Sequence, residues 1–268
     1  MSTNFTRQGS GSPVLLIHGI GRSLEDWAAV APQLAKDHEV YAIDLAGYGR
    51  SPRLSEKTTL VALAKAVIEF LDEVGETRPV RLVGNSLGGA VSMQVAVLAP
   101  DRVAAVVLVD AAGFGADVTV ALRAMGIPLL GRWLTRASLK NSTLTVHGIV
   151  YDRDYWTEEQ LAHTHELARR KGAKAVMRET AHDLGTWKGI RPEWREKLVP
   201  AFAALDKPTL VIWGDKDYIL PATHFEAAKK ALPHARSHLF TKAGHMPQIE
   251  RADEFTALVE SFLAEVAA

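Results

Sequence analysis

Cysteine is absent from all 268 residues, which excludes disulfides, thiolate metal sites and a cysteine nucleophile. Long apolar runs are absent too. None reaches the length of a membrane-spanning helix, and the polar stretch from Met1 to Gly11 lacks the apolar centre of a secretion signal. No sign of charge dominates: Lys plus Arg and Asp plus Glu number 31 each, so neither nucleic acid nor an anionic membrane surface is the expected partner. There is no internal repeat and no low-complexity tract. These absences leave a soluble protein, expected in the cytoplasm. Its 47% hydrophobic and 23% charged residues suit an ordinary globular core.

What is present is an alternation. Short runs of Val, Leu and Ile recur at Val14–Ile17, Val40–Ile43, Val80–Val83, Val103–Val109 and Thr209–Trp213, with a weaker run at Ser237–Phe240. Continuous apolar runs of this length predict strands buried on both faces. Between them lie stretches of helical periodicity: Leu24 to Ala35, Thr58 to Val74, Ala90 to Leu98 and Ala252 to Val266. In the second, Leu60, Leu63, Val67, Phe70 and Leu71 are expected to face inward. Asn4 to Arg7 is expected to form a short edge strand. Strands alternating with helices predict an α/β fold with a mostly parallel central sheet covered on both sides.

Residues 114–205 interrupt this rhythm. They hold four of the six tryptophans (Trp133, Trp156, Trp187 and Trp194) and show helical spacing. They are expected to form an inserted helical lid over a core made of residues 1–113 and 206–268.

The organising stretch is Val80 to Gly89, where an apolar run ends in Gly84-Asn85-Ser86-Leu87-Gly88 and a helical segment follows. Strand, sharp turn and helix in this order place one serine at the apex, and the turn demands neighbours that are nearly free of side chains. The helix N-terminus beneath that serine favours developing negative charge. Serine is a poor nucleophile until a base takes its proton, and the base needs a third group to orient it. His245 follows the last strand and is placed to reach back over Ser86. Asp217 follows the preceding strand, with Asp215 two residues away and Asp110 at another strand end as alternative acids.

Taken together, His18-Gly19, Asp44-x-x-Gly47-x-Gly49-x-Ser51, Gly84-Asn85-Ser86-Leu87-Gly88-Gly89, Gly214-x-x-Asp217 and Gly244-His245 resemble the α/β-hydrolase superfamily over nearly the whole chain. The resemblance implies Ser86 as nucleophile, Asp217 as acid and His245 as base. It implies an oxyanion hole built from the backbone N–H groups of Ile20 and Leu87, and no metal or organic cofactor. His18 is expected to hold the oxyanion loop and Asp44 to fix the Gly47–Gly49 loop. His163 and His165, two residues apart on a helix, point apart and are not read as a metal pair. Most lid tryptophans are expected to fill local core, with Trp133, Trp187 and Met246 the side chains expected against substrate.

A serine at the nucleophile position argues against dehalogenase and epoxide hydrolase chemistry, which needs a carboxylate there. The expected activity is hydrolysis of carboxylic esters with small to medium hydrophobic acyl groups. The alternatives are a C–C bond hydrolase of aromatic ring-cleavage products, in which Arg178 or Arg191 binds an acidic substrate, and a hydrolase-fold small-molecule receptor. The expected partner is a small-molecule ester, and the chain is compatible with either a monomer or a homodimer.

Overall fold

The computed structural model describes residues 3–125, 127, 139–152 and 155–267. Seven strands form one sheet: β1 (Phe5–Gln8), β2 (Ser12–Ile17), β3 (His38–Ile43), β4 (Val80–Asn85), β5 (Val103–Val109), β8 (Thr209–Gly214) and β9 (Arg236–Phe240). Their spatial order is β1-β3-β2-β4-β5-β8-β9. The edge strand β1 runs antiparallel to β3, and every other pairing is parallel. A separate two-stranded ribbon joins β6 (Gly185–Thr186) to β7 (Gly189–Ile190).

The uninterrupted apolar strands have a simple cause. Alternate residues face two different cores, and both cores are closed to solvent. Leu15, Ile17, Leu82, Val106, Leu108, Val211 and Trp213 pack on one side of the sheet. Val14, Leu16, Val83, Val107, Val109, Leu210 and Ile212 pack on the other. A strand solvated on one face would alternate apolar with polar residues instead.

Helices α2 (Leu60–Glu73) and α3 (Leu87–Leu98) cover the first side. The Thr59 side chain accepts the Ala62 N–H at 3.2 Å and so caps α2. All five residues expected to face inward from this helix are buried. On the second side the single helix expected from Leu24 to Ala35 is instead a 3₁₀ turn, Leu24–Trp27, followed by the short α1 (Ala31–Leu34). Pro32 is the physical reason. It has no N–H to donate, so a helix can begin at it but cannot run through it. Helix α11 (Ala252–Ala267) completes that side, with Phe255, Val259, Phe262 and Leu263 in the core.

Between β5 and β8 the described residues are largely helical: α4 (Val120–Met125), α5 (Leu139–Ile149), α6 (Glu158–Arg169), α7 (Ala173–Leu184) and α8 (Pro192–Ala203). A capping box between Thr157 and Gln160 starts α6. Leu198 and Phe202 of α8 belong to the same core as α3, so this helix is part of the layer on the sheet. Two short helices remain near the chain's end, α9 (Thr223–Ala231) after β8 and α10 (Pro247–Glu250) after β9. Among the described residues no helix is long and apolar enough to cross a membrane.

Candidate active site

In a parallel sheet the functional side chains gather at the carboxyl ends of the strands, and here the ends of β2, β4, β5, β8 and β9 do so. Ser86 sits between β4 and α3 with φ 55° and ψ −111°, a backbone conformation that L-residues seldom adopt. The surroundings hold it there: Ser86 N–H donates to Val109 O at 2.9 Å, and Ser86 O accepts from Ala112 N–H at 3.0 Å. The flanking glycines are required by contact. A Cβ on Gly88 would lie 2.2 Å from Ile17 O, and one on Gly84 would lie 2.3 Å from Gly88 O.

His245 and Asp217 meet across the ends of β8 and β9. His245 Nδ1 is 2.7 Å from Asp217 Oδ2. Asp217 Oδ1 accepts the N–H groups of Ile219 at 2.7 Å and Leu220 at 3.0 Å, which sets the carboxylate's orientation. A carboxylate partner at Nδ1 places the ring proton there and leaves the Nε2 lone pair for another proton. Asn85 ties this pair to the serine turn: its Nδ2 donates to His245 O at 3.0 Å, across 160 residues of sequence. The three side chains Ser86, Asp217 and His245 are all buried. Of the other two acids, Asp215 pairs with Lys216 at 3.4 Å, and Asp110 Oδ1 accepts the Gly214 N–H at 3.0 Å.

His18 and Asp44 shape the neighbouring loops. Leu45 N–H donates to His18 Nε2 at 3.0 Å, so His18 Nδ1 carries the proton and donates it to Gly19 O at 2.7 Å. Burial pushes the His18 imidazolium down and keeps the ring neutral, as those two bonds require. Asp44 accepts from Leu24 N–H at 2.8 Å and Arg50 N–H at 2.7 Å, joining the loops after β2 and β3.

A cleft of about 560 Å³, including its open mouth, leads to Ser86. Ile20 and Leu87 line it beside the serine, with Val118, Leu122, Leu184, Ile190, Trp194 and Ile219 among its other walls. Two of the three residues expected against substrate lie elsewhere. Met246 is buried against Ile149 and Val150, and Trp187 is 58% exposed on the β6–β7 turn; neither lines the cleft. Trp133 lies outside the described residues. Arg178 and Arg191 do not line the cleft, whereas Arg123 does. Its Nε donates to Val118 O at 2.8 Å and its Nη2 lies 3.2 Å from Asp117 Oδ1. His163 faces Glu25 at 3.6 Å.

Sequence reasoning passed over Asn85 and Glu250. Glu250 accepts Gly244 N–H at 2.8 Å and Tyr151 N–H at 2.7 Å, while His245 N–H donates to Ile149 O at 2.8 Å. The histidine loop is thereby fastened to the segment that follows α5. Nothing in the local sequence marks these roles, because each partner is a backbone atom.

With strand order, serine turn and acid–histidine pair in place, the chain belongs to the alpha/beta hydrolase fold family, whose profile matches residues 12–252. It is 35% identical, over 97% of its length, to the dihydrolipoyllysine-residue acetyltransferase component of an acetoin cleaving system from Cupriavidus necator. It spans 66% of that longer protein, a little under two thirds. It is 31% identical to the 2-hydroxymuconate semialdehyde hydrolase of Pseudomonas sp. (strain CF600), over 98% of this chain and 90% of that one. Among solved structures it is similar to the meta-cleavage product hydrolase (CumD) of Pseudomonas fluorescens IP01. That match has a TM-score of 0.83 and 28% identity over 98% and 94% of the two chains.

Proposed function

We propose that this hydrolase cleaves carboxylic esters of small to medium hydrophobic acyl groups through an acyl-enzyme, using Ser86, His245 and Asp217. The observation that carries the reading is the cleft over Ser86, whose walls are mostly apolar side chains. Ser86 Oγ attacks the ester carbonyl while His245 Nε2 takes its proton. The resulting oxyanion is held by the backbone N–H groups of Ile20 and Leu87, the second of them at the N-terminus of α3. His245 then passes the proton to the departing alcohol. Water, deprotonated by the same nitrogen, attacks the acyl-enzyme and releases the acid. Asp217 keeps the imidazole in the required tautomer throughout. The scheme draws on no metal or organic cofactor, and the absence of cysteine suits a cytoplasmic setting. In this reading residues 114–205 are the cap insertion that supplies the cleft's outer wall.

A second reading, a C–C bond hydrolase of ring-cleavage products, is favoured by the similarity to a meta-cleavage product hydrolase and to a 2-hydroxy-6-oxo-2,4-heptadienoate hydrolase. The same three side chains then break a C–C bond in a vinylogous diketone. The two readings separate on substrates. Steady-state hydrolysis of p-nitrophenyl esters of increasing acyl length, with Ser86→Ala as control, is expected to show rapid turnover that peaks at a short or medium chain. Slow ester turnover beside rapid cleavage of a 2-hydroxy-6-oxodienoate would transfer the assignment to the C–C reaction. Tight ligand binding with negligible turnover of either would indicate a receptor.

A further inference from the structure

The end of β5 carries a carboxyl that the scheme above does not use. Asp110 follows Val109 with φ 44° and is completely buried. Its Oδ1 accepts the Gly214 N–H at 3.0 Å, whereas Oδ2 has no hydrogen-bond partner among the described residues. One oxygen of Asp110, one of Asp217 and a ring nitrogen of His245 all lie within 4.8 Å of one another.

Two ionised carboxylates at this separation in a buried site repel, and among the described residues Asp110 makes no ion pair that would offset the repulsion. A protonated Asp110 removes the conflict. Oδ1 remains the acceptor for Gly214, and Oδ2 becomes a hydroxyl donor whose neighbour is the Asp217 carboxylate. Asp217 then has four donors, namely His245 Nδ1, Ile219 N–H, Leu220 N–H and Asp110, which matches the roughly four lone-pair sites of a carboxylate. Burial first, and the Asp217 charge second, push the Asp110 carboxyl well above the usual range, and Glu250 acts in the same direction from α10.

We propose that Asp110 is a positioning residue: its protonated carboxyl hydrogen-bonds to Asp217 and holds that carboxylate in the orientation that serves His245. The inference rests on the reading of Asp217 as the acid of the triad. It predicts an asymmetry between two substitutions of similar size. Asp110→Asn keeps an acceptor for Gly214 and a donor for Asp217, whereas Asp110→Leu keeps neither.

The test combines infrared spectroscopy with pH–rate profiles. At neutral pH the wild type, with its aspartate carboxyls labelled with ¹³C, is expected to show the C=O stretch of a protonated aspartic acid that Asp110→Asn lacks. Asp110→Asn is expected to keep kcat/KM within about threefold, and Asp110→Leu to lower kcat roughly ten- to a hundredfold with KM little changed. In Asp110→Leu the less stabilised Asp217 charge should move the acid limb of kcat/KM upward by about half to one pH unit, with no movement in Asp110→Asn. Absence of the protonated band overturns the proposal and requires no active enzyme or folded variant. So does an Asp110→Leu profile that superimposes on the wild type, or an Asp110→Asn profile as altered as that of Asp110→Leu. If ester hydrolysis itself is not found, the functional reading fails, while the band still decides the state of Asp110.

Discussion

The strand ends and the covering helices both present apolar side chains to the cleft, yet they are constrained in different ways. At the strand ends each position is over-determined: Gly88 cannot gain a methyl group, Ser86 is held by hydrogen bonds from both sides, and Asp217 is locked by two backbone donors. Between β5 and β8 the cleft walls are ordinary apolar residues, and Val120, Leu144 and Trp187 stand more than half exposed. On the proposed function, chemistry falls to the strand ends and substrate choice to the cleft walls between β5 and β8.

Substitutions that break this division should rank accordingly. Asp217→Asn leaves the shape of the site intact but favours the wrong imidazole tautomer, and kcat is expected to fall by about 10⁴. Steady-state kinetics at a fixed pH measures it. Activity near wild type would return the role of acid to Asp110. Next comes Gly88→Ala, which forces a Cβ against the backbone oxygen of Ile17. A loss of about 3 kcal/mol in unfolding free energy is expected, read from urea denaturation. A loss near zero would mean that the serine turn is not rigid.

Much of this first region is visible in the sequence for the same reason that it is constrained. A strand with dry cores on both sides has to be Val, Leu and Ile at consecutive positions, and a turn that brings backbone against backbone has to be glycine. Other features are invisible there. Asp217 and Asp110 both follow apolar strands; the Gly214-x-x-Asp217 spacing favours Asp217 by resemblance, but its contact with His245 Nδ1 is seen only in three dimensions. Asn85 and Glu250 act on backbone atoms far along the chain. The short α1 was obscured because periodicity ran on through Pro32. Cleft residues are the least legible of all: Met246 is expected against substrate, but that side chain turns toward Ile149 and Val150.

The region between β5 and β8 is tested by Leu122→Ala, which enlarges the cleft without touching the acid–histidine pair. It is expected to move the preferred acyl length upward and to change the ratio of kcat/KM between long and short esters by about ten- to a hundredfold. A uniform fall for all chain lengths would place Leu122 with the chemistry instead. The smallest expected effect concerns His224, a buried ring beside Trp213 with neither nitrogen hydrogen-bonded among the described residues. Burial pushes its imidazolium below the usual histidine range, against the opposing pull of Asp217 and Asp117. The unfolded chain therefore takes up the proton first, and the contribution of His224 to stability is complete above about pH 6.5 and lost as pH falls below it. Measured by urea midpoints at pH 7.5 and 5.5, His224→Leu should gain stability relative to the wild type at the lower pH. An unchanged difference between the two would assign the acid sensitivity to other groups.

The central claim, that one strained serine at the end of β4 carries the reaction, is met most directly by trapping it. The protein is incubated with a fluorophosphonate, and the adduct is located by intact mass and peptide mapping. A single adduct on Ser86 is expected, absent in Ser86→Ala and formed far more slowly in His245→Ala. An unmodified Ser86 in folded protein, or an adduct on another side chain, would contradict it.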